Sequence, residues 1–62
     1  MKWNKCKCIK DTTIKDIVVG NNYKYYKKDL NVYGVIYNET DKTFEEAYGT
    51  AQWFIEHFKV IK

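Results

Sequence analysis

The sequence predicts an α+β fold that is mainly β: a small, strongly curved antiparallel sheet with one C-terminal helix packed on it. Three observations carry that expectation. Six Ile and five Val stand against a single Leu, and eleven of the 62 residues are aromatic. That β-branched, ring-rich composition suits pleated, half-buried strands. Short alternating stretches separated by Gly, Asn and Asp clusters recur as far as residue 37. From Thr43 onward the apolar spacing changes to a helical repeat. The length fits one domain, residues 1–62. A chain this short hides only about 60% of the surface its unfolded form exposes. Its rings compensate, since each can bury about 150–250 Å².

The first strand is expected within residues 2–10, "KWNKCKCIK", with Cys6 and Cys8 on one face and Lys5 and Lys7 on the other. Asp11-Thr12-Thr13 reads as a turn, and Gly20-Asn21-Asn22 as a stronger one, because Gly and Asn tolerate positive φ. Tyr23–Lys28 and Val32–Tyr37 are the next two strands. They are joined by Asp29-Leu30-Asn31, a three-residue hairpin loop in which Asn31 can take the left-handed position. Period two then places Tyr23 and Tyr25 beside Tyr33, Val35 and Tyr37, and this ring-rich face is the expected core. Lys24, Tyr26 and Lys28 fall on the opposite face with Val32, Gly34 and Ile36. Asn38–Lys42 reads as a polar loop.

The remainder, "TFEEAYGTAQWFIEHFKVIK", admits two structures. Thr43-x-x-Glu46 has the form of a capping box. Phe44, Ala47, Tyr48, Ala51, Phe54, Ile55 and Phe58 then fall on one helical stripe, which favours a helix over 44–58. In that helix Trp53 points away from the stripe into solvent. The alternative makes Phe44–Tyr48 a strand, starts a short helix at Thr50 and draws Trp53 inward. It leaves Glu46 sharing a strand face with Phe44 and Tyr48. In both versions the final "FKVI" can pair with the first strand.

The formal net charge of +3 is unevenly spread. Residues 1–28 hold eight Lys against two Asp, and residues 29–62 hold three Lys against six acids. A dipolar chain with no Arg is poorly equipped for bidentate phosphate or guanine recognition. No apolar run approaches the ~20 residues of a membrane span, and "MKWNKCKCIK" has no signal-peptide core. The expected location is the cytoplasm. Cys6 and Cys8 have no second cysteine pair with which to build a zinc site. A strand also sets them too far apart for good disulfide geometry, so they read as buried thiols. His57, the one histidine, has no nucleophile partner in sequence. Glu45 and Glu46 diverge by about 100° on a helix and do not form a catalytic pair. No catalytic residue, cofactor or metal is therefore expected.

Lys7-Cys8-Ile9-Lys10, Val19-Gly20-Asn21-Asn22-Tyr23, Tyr33-Gly34-Val35 and the aromatic end Phe54–Ile61 occur in that order. In these pieces the chain resembles small SH3-like barrel proteins of Gram-positive bacteria and their phages and prophages. The segment 43–53 departs from the pattern, which has a hairpin strand there. The resemblance implies an SH3-like barrel, a non-enzymatic protein-binding module and a host-cell cytoplasmic setting. It also implies a role in modulating or inhibiting a larger host protein, for example as an anti-CRISPR or other anti-defence factor.

Two surfaces are candidates for the partner. One is Trp53 with the acids Glu45, Glu46 and Glu56, since an exposed indole is a common binding anchor. The other is the Lys24/Tyr26/Lys28 face. The rival reading is a nucleic-acid binder that uses the lysine-rich half, with Tyr26 and Tyr33 stacking on bases.

Overall fold

In a computed structural model that describes residues 3–61, the protein is mainly β. Five antiparallel strands form one sheet that is not closed, with a single short helix. The elements are β1 (Asn4–Cys8), β2 (Asn22–Asp29), β3 (Val32–Glu39), β4 (Phe44–Thr50), α1 (Ala51–His57) and β5 (Phe58–Ile61). The order across the sheet is β4-β3-β2-β1-β5, so the first four strands form a meander and the last returns beside the first. Cys8 faces Phe58 and Lys5 faces Ile61 in that final pairing, the partnership expected of "FKVI".

The β2–β3 hairpin keeps the expected register by a different route. Tyr25 pairs with Val35 and Tyr26 with Gly34, as a three-residue loop would give. Asp29, however, belongs to β2, and the connection is only Leu30-Asn31. A bulge between Lys27 and Asp29 supplies the extra residue and strengthens the local twist. Asn31 is not left-handed, since Gly20 (φ 95°) is the residue with positive φ among those described. Its side-chain oxygen instead accepts from the Ala51 N–H at 3.3 Å, tying the hairpin to the start of α1.

The helix expected over 44–58 is corrected to Ala51–His57. Phe44–Thr50 is a strand paired along its length with β3. Helical spacing was misleading here because both faces of β4 carry apolar residues. Ala47 and Gly49 point to the core side, opposite Val35 and Tyr33. Glu46 and Tyr48 point outward, opposite Ile36 and Gly34. Thr43 is not the cap. Thr50 is, with its Oγ1 accepting from the Trp53 N–H at 3.1 Å. Small residues at 47 and 49 leave room for α1 to cross the inner face. A Cβ on Gly49 would lie 2.2 Å from Trp53 Cε3.

The core lies on that inner face. Cys6, Cys8, Tyr25, Val35, Phe54 and Phe58 are buried there, together with Ile17 from the long β1–β2 connection. Tyr33 stacks on Phe54 (centroids 4.8 Å apart, 12° between planes), and Phe54 stacks on Phe58 (5.5 Å, 14°). Such pairs add about 0.5–1.5 kcal/mol beyond burial, a large share for so small a domain. The β1–β2 connection is held by Gly20 N–H donating to the Cys8 carbonyl (2.8 Å) and by Tyr23. The Tyr23 hydroxyl accepts from Val18 N–H and donates to the Asp16 carbonyl. Both cysteines are free thiols, and burial pushes the Cys6 thiol up to about 12, with the neighbouring Cys8 adding to the effect.

Candidate functional site

Alternation along β2 sends Lys24, Tyr26 and Lys28 to the outer face, and each meets a specific partner. Lys24 Nζ lies 2.8 Å from Glu39 Oε1 and 5.3 Å from the centroid of the Trp3 ring. The ion pair is exposed on both sides, so its contribution is about 0–1 kcal/mol. Trp3 also meets Phe44 edge to face at 5.3 Å. Trp3 is therefore part of the outer face. Lys28 Nζ sits 4.6 Å from the centroid of Tyr48.

Tyr26 is the most constrained of the three. It lies across from Gly34, where a Cβ would come 2.7 Å from Tyr26 Cε1. Gly34 is required by this ring and not by backbone conformation. The Tyr26 hydroxyl donates to the Glu46 carboxylate. That hydrogen bond, with burial second, holds the phenol well above the usual tyrosine range. The pairing explains why Glu46 shares a strand face with Phe44 and Tyr48, because that face is not the core.

The outer face is consequently a connected layer of rings and charges. Ile36 is buried on it, opposite Lys24 on one side and Glu46 on the other, while Phe44 and Tyr48 stay 46% and 55% exposed. A cleft of about 360 Å³ opens beside it where β2 and β3 part, with Lys5, Lys24, Ile36 and Glu39 on its walls.

The other candidates do not assemble as the sequence suggested. Trp53 is not an exposed anchor. It is half-buried against the core, its ring over Gly49 and 5.5 Å from the rings of His57 and Phe58. Glu46 lies on the outer face with Tyr26, whereas Glu45 accepts from Tyr37 Oη (3.3 Å) and Asn38 Nδ2 (3.5 Å). Glu56 accepts from Gln52 Nε2 on the exposed side of α1. These three acids do not surround Trp53. Tyr33 packs inside with Phe54 and cannot stack on a base beside Tyr26. The His57 Nδ1 donates to the Trp53 carbonyl at 2.7 Å.

Sequence reasoning passed over Lys59. It lies directly opposite Lys7, while Lys5 lies opposite Lys24. The alternation of β1 and its pairing with "FKVI" were both visible in the sequence, but the register that puts lysine against lysine was not. Among the described residues no group of three His, Cys, Asp or Glu could hold a metal ion. No helix among them is long and apolar enough to cross a membrane. No protein-family model, curated protein or solved structure matches this chain.

Proposed function

We propose that this protein is a small non-enzymatic binding module that occupies the surface of a larger protein through the outer face of its sheet. The observation that carries this reading is the pre-set condition of that face. Trp3, Phe44, Tyr26 and Tyr48 are held in place by one another, by Lys24 and Lys28 and by Glu46. They nevertheless lie outside the core, and Phe44 and Tyr48 remain about half exposed. Rings whose rotamers are already fixed lose little entropy on docking, and aromatic side chains dominate binding hot spots.

An SH3-like assignment is part of the proposal. In its support are the four-strand meander, the return of the fifth strand beside the first, the short helix before it and the long first connection. The segment 43–53, which departs from the family in sequence, contains a strand of the kind the family has there. Phage or prophage origin and inhibition of a host defence protein, an anti-CRISPR role included, rest on the sequence resemblance. Catalysis has no part in this reading.

The test is affinity capture from Gram-positive bacterial lysate with mass-spectrometric identification, using the wild-type protein and Phe44→Ala/Tyr48→Ala as baits. Both substituted rings are half exposed, so the variant keeps its circular dichroism spectrum. The expected result is one partner retained at stoichiometric level by the wild type and lost by the variant. Equal capture by both baits, or substrate turnover by the purified protein, would overturn the reading.

A further inference from the structure

Charge on this sheet is sorted by strand. β1 and β5 contain no acid at all, while Glu45 and Glu46 lie on β4 at the far edge. Lys7 faces Lys59 across the β1–β5 ladder, and Lys5 faces Lys24 across β1–β2. Like charges directly opposite one another weaken a sheet. Lys24 is relieved by Glu39, the ion pair found among the described residues. Among the described residues, Lys5, Lys7 and Lys59 have no such ion pair. Edge protection accounts for a lysine on β5, but β1 is an interior strand, flanked by β2 and β5. Its two lysines need another reason.

Among the described residues β5 ends the sheet, so one side of its backbone has no partner strand there. The His57 carbonyl accepts from Ile9 N–H, which turns residue 57 toward β1. By the alternation of an antiparallel ladder, the N–H and C=O of Val60 therefore point away from the sheet. Around that open edge the side chains alternate in character. Lys59, with Lys7 and Lys5 behind it, faces the outer side, and Val60, 47% exposed, faces the inner side.

We propose, building on the binding-module reading above, that β5 and the lysines beside it form a docking edge for an extended acidic segment of a partner protein. The segment adds as a further strand, with carboxylates toward Lys59 and Lys7 and aliphatic side chains toward Val60. Main-chain hydrogen bonds at the edge would supply affinity and the alternating side chains selectivity. A nucleic acid is a poorer fit. Beside the lysines on this edge stand Ile9 and Ile61, which offer no stacking surface, and the nearby rings are tied to partners of their own. A second copy is also a poorer fit, because Glu45 and Glu46 on its β4 edge are already hydrogen-bonded.

The experiment is an NMR titration of the ¹⁵N-labelled protein with three probes. These are a peptide alternating Glu and Val, its counterpart alternating Lys and Val, and an oligothymidylate. Each is run at low salt and at about 0.15 M, where the Debye length is ≈ 8 Å. The expected result is that the Glu/Val peptide shifts amides of β5 and β1, and binds more weakly at the higher salt. Lys7→Glu/Lys59→Glu, which keeps a like-charged pair and so a comparable fold, should bind it about tenfold more weakly and gain affinity for the Lys/Val peptide. Four results overturn the proposal: no shift with the Glu/Val peptide, shifts centred elsewhere, tighter binding of the oligothymidylate, or self-association in sedimentation through this edge. The capture experiment separates the two readings. A partner held equally by wild type and the double lysine variant leaves the binding module standing and removes the docking edge.

Discussion

Replacing Gly49 with Ala distinguishes a packed Trp53 from an exposed one by the sign of the effect. Gly49 has no positive φ, so its backbone accepts Ala, and such a change in isolation stabilises by about 0.4–1 kcal/mol. The new Cβ, however, would lie 2.2 Å from Trp53 Cε3, 2.5 Å from Cδ2 and 3.0 Å from Cγ. Those atoms belong to the body of the indole, which is bounded by His57 and Phe58 and cannot swing aside as a flexible tip would. Overpacking of this kind costs about 1–3 kcal/mol, so the net expectation is a loss of about 1–2 kcal/mol. A 62-residue domain has roughly 3–9 kcal/mol in all. The loss should appear as a fall in Tm of about 4–8 °C per kcal/mol, read by near-ultraviolet circular dichroism alongside urea unfolding. In a Trp53→Ala background the obstacle is gone, and Gly49→Ala should become neutral or mildly stabilising. Had residues 44–58 been one helix with Trp53 in solvent, the same substitution would stabilise by about 0.8–1.0 kcal/mol. A stabilising Gly49→Ala, or an equal penalty with and without the indole, refutes the packing argument.

Two further outcomes follow from the thiols and the phenols. With the Cys6 thiol pushed up to about 12 and both sulfurs buried, the native protein at pH 8 should resist a thiol-reactive dye. At that pH about one Cys6 in 10⁴ is thiolate. Urea should release both sulfurs in the same transition, and rapid labelling of one thiol in the folded protein would contradict the burial. The phenols of Tyr26, Tyr25 and Tyr37 are all held above the ordinary value of 10.0, Tyr26 chiefly by its hydrogen bond to Glu46 and the other two chiefly by burial. A raised phenol keeps its proton longer in the folded state. The associated stability is fully present below pH 10 and is lost as the pH climbs toward the folded values. Urea midpoints should therefore fall above about pH 10 in step with late phenolate absorbance. Tyr26→Phe should remove part of that fall, and a midpoint insensitive to alkali would count against the Tyr26–Glu46 pairing.

Much of the strand pattern was legible because period two is a local property. The Lys5/Lys7 against Cys6/Cys8 split, the Tyr25-with-Val35 face and the Gly20 turn all follow from which residues alternate and which tolerate positive φ. The pairing of "FKVI" with the first strand was also foreseeable from apolar content alone. The segment 43–58 resisted because its apolar residues fit two periods at once. Local spacing cannot tell a stripe buried on one side from a strand with two occupied faces. Tertiary contacts decided it: Tyr26 supplied a partner for Glu46 on the outer face, and Gly49 made a seat for Trp53 on the inner one. The same contacts moved the candidate site, drawing Trp53 inward and scattering the three acids. Composition and alternation thus set the strands and their faces, since those depend on residues two apart. Which lysine faces which, which ring is covered and which edge stays open depend on register between strands far apart in the chain, and only the assembled sheet fixes that.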